Sequence, residues 1–287
     1  MPELPEVETL TRSLDARMAG HRVVRCELAS FSALKTVDPP LGTLVGRRVT
    51  GCGRRGKHVC FDLDGWWLVV HLARAGWVRW YERLPATRPR PGTKGPLALR
   101  LGLDDGSGLD LTEAGTEKRL ALWVVHSPDD VPPVAALGID PLDPDFTVDR
   151  FAGLLAGSTA TLKTVLTTQS LLAGVGNAYS DEALHAAGLS PYRKGGRLRP
   201  EEVERLHAAV VGVLTDAVRR TERLAPAELK GDKHRSMQVH GRTGQACPVC
   251  GDTVREVSFA SKSMQYCPTC QTDGKVLADR RLSRLLK

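Results

Sequence analysis

The chain has 287 residues, of which 41% are hydrophobic and 25% charged, and its formal net charge is +7. This composition is typical of a globular protein long enough for two ordinary domains. No stretch approaches the roughly eighteen consecutive apolar residues of a membrane span, and the acidic start lacks the basic and apolar segments of a secretory signal. We therefore expect a soluble cytoplasmic protein without a membrane partner.

The positive charge is concentrated in the last third of the sequence. Residues 1–190 contain 21 Lys and Arg against 22 Asp and Glu, a net charge of −1, whereas residues 191–287 contain 19 against 11, a net charge of +8. Such an excess forms either a solvated basic surface or a face that binds a polyanion. Charge alone does not separate these two interpretations.

The first segment predicts an amphipathic helix. Apolar residues recur at near-helical spacing, at Val7, Leu10, Leu14 and Met18. They follow Pro5, and proline is favoured in the first turn of a helix, so the helix should span residues 5–18 and begin just after Glu3. Glu3 and Glu6 would then share one face of its first turn.

Residues 21–126 have the pattern of short strands. The stretches that carry it are HRVVRCELAS, HVCFDLDGWWLVVHL and the leucine alternation from Leu97 to Leu103, which the turn DDGSG separates from Leu109 and Leu111. Many short strands with glycine-rich turns favour an antiparallel sandwich or barrel.

A proline-rich segment follows. SPDDVPPVAALGIDPLDPDF has five prolines in twenty residues, which predicts an irregular linker and a domain boundary at 128–147. Beyond it the apolar spacing is helical, in TVDRFAGLLAG, ATLKTVLTTQSLL, NAYSDEALHAAG and RPEEVERLHAAVVGVLTDAVRRTERL.

Four cysteines near the end of the chain have the spacing of zinc ligands. They form two Cys-x2-Cys pairs separated by sixteen residues: Cys247, Cys250, Cys267 and Cys270. Two disulfides or four free thiols are the alternatives, and a chain without a secretion signal disfavours disulfides. The spacing therefore predicts one structural Zn²⁺.

The opening MPELPEVE suggests a nucleophile. Removal of Met1 would leave Pro2 with a free secondary amine, and an α-amino group has an unperturbed pKa of about 8, so an appreciable fraction is deprotonated at neutral pH. Such an amine attacks an aldehyde-like carbon, and neighbouring carboxylates could move the protons. The alternative is that Pro-Glu simply caps a helix.

Five stretches, in order and over nearly the whole chain, resemble the formamidopyrimidine-DNA glycosylase and endonuclease VIII family: MPELPEVE, GRRGKHV, LLAGVGNAYSDEAL, QVHGRTG and CPVC…CPTCQ. The resemblance implies an α+β multidomain fold. Its expected parts are an N-terminal antiparallel β-sandwich with a leading helix (1–127), the linker (128–147), a helix-two-turn-helix domain (148–240) and a four-cysteine zinc β-hairpin (241–287).

The resemblance also implies roles for individual residues. Pro2 corresponds to the nucleophile that attacks C1′ of a damaged nucleotide, Glu3 to the acid/base residue, and Glu6 to an accessory carboxylate. Lys57 corresponds to a lysine that contacts phosphate, and Asn177 to a residue that grips the DNA backbone. Their alternatives are a solvated cation for Lys57, a carboxylate stabilised by the helix dipole for Glu6, and an N-cap for Asn177.

Three positions depart from the family pattern. Arg74, in HLARAG, stands where the family has the methionine that fills the gap left by a flipped base. In a second loop, TEKRLALW offers Lys118, Arg119 and Leu120 in place of an arginine and an aromatic wedge. Lys262 replaces an arginine of the zinc hairpin. Weaker wedges favour lesions that are already unstacked, such as mismatched, bulky, abasic or single-stranded sites.

The implied function is base-excision repair. We expect a glycosylase that removes oxidised or ring-opened bases and a lyase that nicks the strand by β- and δ-elimination, acting as a monomer on damaged DNA that is duplex or locally opened. The alternative is a catalytically idle zinc-containing protein that binds DNA or RNA.

Overall fold

A computed structural model describes residues 1–90, 92, 95–259 and 262–278, with only the backbone of Lys230, Phe259 and Lys262. The chain forms two compact units. The first comprises residues 1–136 and 222–229, and the second residues 137–221 and 230–287. The predicted boundary at 128–147 stays a prediction. Within that segment the structure has a 3₁₀ turn, Pro128–Asp130, and a four-residue helix, Pro132–Ala135.

The elements of the described residues are as follows. The helices are α1 (Leu4–Met18), α2 (Pro132–Ala135), α3 (Val148–Leu155), α4 (Leu162–Thr167), α5 (Asn177–Ala186), α6 (Pro200–Thr221), α7 (Leu229–Ser236) and α8 (Pro268–Thr272). The strands are β1 (Val23–Leu28), β2 (Gly51–Arg55), β3 (His58–Asp62), β4 (Trp67–His71), β5 (Gly76–Tyr81), β6 (Leu97–Leu103), β7 (Gly108–Glu113), β8 (Ala121–Val125), β9 (Arg255–Phe259) and β10 (Lys262–Tyr266).

Helix α1 confirms the first prediction to within one residue. Its apolar stripe, formed by Val7, Leu10, Leu14 and Met18, is fully buried in the core of the first unit. Full burial of one such side chain is worth about 1.5–3 kcal/mol, so this stripe is a principal attachment of the helix.

The first unit is the predicted antiparallel β-sandwich. One sheet has the strand order β1-β6-β7-β5 and the other the order β2-β3-β4-β8, with antiparallel neighbours throughout. Alternate residues of the second sheet, among them Val59, Phe61, Leu68, Val70 and Leu122, join the core beside α1. The period-2 pattern of these strands therefore places one face inward.

The second unit is helical, as predicted, and its last part contains a β-hairpin that is followed by α8. The four helical stretches of the sequence correspond to α3, α4, α5 and α6. Strands β9 and β10 pair antiparallel, with Arg255 opposite Tyr266. No helix in the described part of the chain combines the length and the apolar character that crossing a membrane would need.

Candidate active site and zinc centre

Three connections meet at one end of the sheet β2-β3-β4-β8. Arg55 of β2 lies opposite His58 of β3, and His58 lies opposite His71 of β4. His71 in turn lies opposite Ala121, the first residue of β8. Since paired residues of antiparallel strands lie side by side in the sheet, three connections lie at the same end of it: the turn at 56–57, the turn at 72–75 and the loop 114–120. These connections carry Lys57, Arg74, Lys118 and Arg119.

Helix α1 brings its N-terminal end to this same place. Glu8 Oε2 accepts a 2.8 Å hydrogen bond from Arg54 Nε, late in β2, whereas Asp15 Oδ1 accepts one of 2.7 Å from Cys52 N, early in β2. The helix thus runs antiparallel to the strand. Residues that precede Glu8 extend toward the turn that holds Lys57, at about 1.5 Å per residue.

The two carboxylates of the first turn hold each other in place. Glu3 N donates to Glu6 Oε2 at 2.8 Å, and the Glu3 side chain accepts from the backbone N–H of Glu6, which forms a reciprocal capping box. Both are buried, with 3% and 1% of their surface exposed. The helix-cap interpretation is therefore correct as structure, and the cap also fixes two carboxylates next to Pro2.

Pro2 itself is buried, whereas Met1 is half exposed. In the chain with Met1 the Pro2 nitrogen is part of a peptide bond and has no nucleophilic lone pair. Removal of the exposed Met1 would leave the amine at a site already enclosed by protein.

Two histidines adjoin Lys57 on neighbouring strands. The rings of His58 and His71 lie 4.8 Å apart between centroids, and His58 Nδ1 is 3.2 Å from Arg55 O. Burial, the neighbouring His58 and the Lys57 charge lower the pKa of His71 to about 4. Burial also lowers the pKa of His58, and the Lys57 charge adds to this effect. Both rings are therefore neutral at pH 7.

This shift predicts a loss of stability in acid. Since the unfolded His71 protonates near its ordinary pKa of about 6.5, its contribution is present above that pH and disappears as the pH falls toward 4. The unfolding free energy of the parent should decrease between pH 7 and pH 5, and we expect this decrease to be about 1–2 kcal/mol smaller in His71→Phe. Urea titrations at the two pH values measure this. The exposed His126→Gln should keep the parental decrease, and an unchanged decrease in His71→Phe would contradict the assignment.

The loop 114–120 is fixed by a residue that sequence reasoning missed. Glu113, only 3% exposed, accepts hydrogen bonds on Oε1 from Arg119 N at 2.8 Å and Leu120 N at 3.0 Å. Lys118 and Arg119 are exposed at the loop, and Arg119 pairs with Glu117 at 2.9 Å. Leu120 is buried in the core, so its suggested role as a wedge is wrong.

Arg74 lies at the exposed tip of the turn between β4 and β5. The turn is closed by a 2.8 Å bond from Gly76 N to Leu72 O, and a Cβ on Gly76 would lie only 2.0 Å from that oxygen. Glycine is therefore required at position 76. The tight turn directs residue 74 outward at the end of the sheet that carries Lys57.

In the second unit, Asn177 begins α5 and is not its N-cap, which is Gly176. Its amide Nδ2 donates to Ser263 O of β10 at 2.7 Å. The preceding loop is held by Gln169, which donates to Val175 O at 2.7 Å and accepts from Gly174 N at 3.0 Å. Lys262 begins β10, but its side chain lies outside the described residues.

A buried ionic chain beside Asn177 was also missed from the sequence. Asp181, with a fully buried side chain, lies 2.5 Å from Lys163 Nζ and 2.7 Å from His240 Nδ1. Lys163 also donates to Asn177 O at 2.7 Å. In the sequence, the i, i+4 spacing of Asn177 and Asp181 indicates only that the two side chains share one helix face. The partners of Asp181, Lys163 and His240, are not close to it in sequence.

The four predicted cysteines meet in one cluster. Their sulfurs all lie within 4.8 Å of one another, with 3.3 Å from Cys250 to Cys267 and 3.9 Å from Cys247 to Cys270. Tetrahedral zinc with Zn–S bonds of about 2.3 Å requires ligand sulfurs about 3.8 Å apart. The donor set and its dimensions therefore fit one structural zinc, and each thiolate would supply one bond.

The fit predicts the effect of removing one ligand. Cys267 is fully buried and belongs to the small core that includes Val239 and Val254, so Cys267→Ser should lose both a zinc bond and packing. We expect metal analysis to find one zinc per parental chain and much less than one in the variant, with a less stable hairpin. Ser258→Ala, in the same hairpin, serves as the control. Full zinc content in Cys267→Ser would contradict the site.

Three regions of the sequence match known families. Residues 1–116 match the "Formamidopyrimidine-DNA glycosylase N-terminal domain", residues 137–225 the "Formamidopyrimidine-DNA glycosylase H2TH domain", and residues 244–272 the "Zinc finger found in FPG and IleRS". The third match agrees with the four-thiolate geometry.

Individual proteins give the same result. The chain is 37% identical to the formamidopyrimidine-DNA glycosylase of Symbiobacterium thermophilum, over 98% of this chain and 93% of the relative. It is 59% identical over 156 residues to an uncharacterized formamidopyrimidine-DNA glycosylase-like protein of Mycobacterium tuberculosis, which covers 54% of this chain and 98% of that protein.

A solved structure supports the fold. The Lactococcus lactis formamidopyrimidine-DNA glycosylase, non-covalently bound to DNA with an abasic site, has a TM-score of 0.80 and 29% identity, over 94% of this chain and 99% of that one. Because three regions match models of this family and the chain is 37% identical to a relative over nearly its whole length, it belongs to the formamidopyrimidine-DNA glycosylase family.

Proposed function

We propose that this protein excises damaged bases from DNA and then cleaves the abasic strand, with the α-amine of Pro2 as its nucleophile. The observation that carries the proposal is the arrangement at one end of the sandwich. The start of α1, the turn with Lys57 and the turn with Arg74 all lie there. Imine formation with a nucleotide sugar requires an amine that attacks C1′ and carboxylates that move protons, and a nearby cation can bind the adjoining phosphate.

The reaction begins once Met1 has been removed. The Pro2 nitrogen attacks C1′ of the damaged nucleotide, and the bond from C1′ to the base breaks, with the electron pair leaving on the base. The nitrogen then loses its own proton, which passes to the departing base, so that a nitrogen lone pair is available again. Glu3 gives a proton to the sugar ring oxygen as the ring opens, and this lone pair forms the C=N⁺ bond of an iminium ion. Because proline is a secondary amine, this iminium is positively charged without a proton on nitrogen.

Strand cleavage follows from that positive charge. The iminium acidifies the C2′ proton, whose removal expels the 3′ phosphate by β-elimination, and a second elimination expels the 5′ phosphate. Hydrolysis of the remaining C=N bond returns the amine. Glu6, 1% exposed and bonded to Glu3 N, positions the helix start, and Lys57 contacts the phosphate next to the lesion.

Damaged DNA is the proposed partner of both units. The related Lactococcus lactis structures contain DNA with an abasic site and with N7-benzyl-Fapy-dG. Residues 191–287 carry a net charge of +8, which suits the phosphate backbone. We assign backbone contacts to Asn177 and to Lys262 of the zinc hairpin. Lys118 and Arg119 are the DNA-contacting residues of the loop that opens the helix. The zinc is structural and takes part in no chemical step. We also propose that the protein acts as a monomer in the cytoplasm.

Arg74 sets the preference for substrate structure in this proposal. A guanidinium at the tip of the turn would fill the gap left by the flipped base less well than an apolar side chain, since it must be partly desolvated. We expect Arg74→Met to raise excision from duplex DNA by about tenfold relative to a bubble substrate. This factor corresponds to a barrier lower by about 1.4 kcal/mol, because the apolar side chain offsets more of the stacking energy lost when the base is flipped.

The alternative for Arg74 is a contact with the phosphate backbone. In that case Arg74→Met would reduce the salt dependence of activity on duplex and bubble alike and leave their ratio unchanged. Arg79→Met, at an exposed position of the following strand, is the matched control. Rates at several salt concentrations for both substrates distinguish the two roles.

A panel of end-labelled oligonucleotides tests the proposed function. It should contain an abasic site, oxidised purines, oxidised pyrimidines, ring-opened bases and bulky adducts, each as duplex, bubble and single strand. The expected result is cleavage at the abasic site with 3′ ends typical of elimination and excision of at least one lesion class. An idle DNA- or RNA-binding protein would bind these substrates and leave every strand intact.

A further inference from the structure

A histidine lies beside the zinc cluster and belongs to a different element from its cysteines. His185 is in the last turn of α5, is 7% exposed, and has its Nε2 3.3 Å from Cys247 Sγ. At this distance the pair is a hydrogen bond to sulfur. The nearest cysteine in sequence is 62 residues away, so the contact depends on the tertiary fold.

The chemistry of the cluster determines the direction of that bond. A zinc-bound cysteine is a thiolate, which carries no proton and can only accept. His185 Nε2 must therefore carry the hydrogen of this bond. Zinc with four thiolates has a net charge of about −2, so N–H donors directed at the sulfurs stabilise it.

The position of α5 strengthens the need for such a donor. The C-terminal end of a helix carries partial negative charge, which repels an anionic cluster. That end is tightly packed against the zinc site, because Gln271 Nε2 donates to Leu189 O at 3.0 Å and a Cβ on Gly188 would lie 3.3 Å from Cys270 O. His185 places an N–H between the helix end and the thiolate.

We propose that His185 is a positioning residue of the zinc centre, donating Nε2–H to the Cys247 thiolate so that zinc is held more tightly and α5 is attached to the metal site. The same helix is bound to the hairpin at its other end through Asn177 Nδ2 and Ser263 O. Helix α5 is thus connected to the zinc finger at both ends, and His185 provides the connection that depends on the metal ligands.

Transfer of zinc from the purified, zinc-loaded protein to a chromogenic chelator tests the proposal without any measurement of activity. Loss of a partner that supports a metal ligand typically costs about 10–100-fold in metal affinity. We expect His185→Phe, which keeps a ring of similar size, to release zinc about 10–100-fold faster. His185→Gln can place an amide N–H near the position of Nε2 and should restore much of the retention.

The matched control is His207→Phe in the same unit. His207 is half-buried, and its Nε2 lies 2.6 Å from Phe146 O. The His207→Phe variant therefore also loses a histidine hydrogen bond, but one whose partner is a backbone oxygen and not a thiolate. Its zinc release should equal that of the parent. Parental release from a folded His185→Phe chain, or equally fast release from His185→Phe and His185→Gln, would overturn the proposal.

A measurement on the unsubstituted protein covers the case in which His185→Phe does not fold. Nitrogen-15 NMR of the zinc-loaded chain distinguishes the two neutral tautomers of a histidine. The proposal requires the hydrogen of His185 on Nε2, with slow exchange against solvent. A ring with its hydrogen on Nδ1, or one whose Nε2 hydrogen exchanges freely, would refute it.

Discussion

Borohydride reduction of the protein mixed with an abasic-site duplex is expected to give a covalent protein–DNA complex whose yield depends on Pro2. Pro2→Gly should lower the rate of trapping at least about tenfold, since a primary amine must also be protonated before its imine becomes the cationic, reducible species. An N-terminal extension that cannot be removed should abolish trapping, because the Pro2 nitrogen then stays in a peptide bond.

The extended protein is also the control for folding. It keeps every residue of α1 and of the capping box, so it should melt like the parent. Affinity for a duplex with a tetrahydrofuran abasic analogue, measured by fluorescence anisotropy, shows whether Pro2→Gly still binds DNA. Trapping at the parental rate by the extended chain would mean that the nucleophile is elsewhere.

Glu3→Gln is expected to slow base excision by about 10²–10⁴-fold, the usual contribution of a positioned general acid or base. Glutamine keeps the size of the side chain and an oxygen that can accept from the backbone N–H of Glu6, so the helix cap should persist. Nicking of a ready-made abasic site should fall much less, because the base has already left. Single-turnover rates on both substrates measure the difference.

Glu222→Gln is the control for the loss of one negative charge in the same unit. Its side chain is 53% exposed and pairs with Arg12 at 2.9 Å, so its removal should leave both rates unchanged. Equal losses of excision and abasic nicking in Glu3→Gln would assign Glu3 to the structure of the helix start, and unimpaired excision would exclude it as the acid.

Much of the fold could be predicted because its signals are local. The helix at α1 follows from apolar spacing behind a proline, the hairpin of β3 and β4 from the period-2 pattern around a glycine turn, and the zinc site from cysteine spacing. Helix α7 was not predicted. Its sequence, LKGDKHRS, contains a glycine and almost no apolar residues, so neither propensity nor periodicity indicates it.

The site was predictable only where a motif lies within a few residues. Glu3 and Glu6 are three apart, and their capping box follows from helix geometry. Glu113 was missed because a buried side chain that accepts two backbone amides looks, in sequence, like any charged residue near a loop. The wedge prediction for Leu120 was wrong because the burial of this side chain in the core depends on the tertiary fold. His185 and Cys247 are 62 residues apart, and only the tertiary fold brings them together.

The central claim is that the freed N-terminal amine attacks the sugar, and peptide mapping of the trapped complex tests it most directly. The parental protein is reduced on an abasic-site duplex, digested with nuclease and protease, and the adduct is located by tandem mass spectrometry. The account predicts a peptide that begins at Pro2, without Met1, and carries the reduced sugar remnant on its nitrogen. A remnant on the side chain of Lys57 or another lysine, or efficient trapping by a chain that retains Met1, would contradict it.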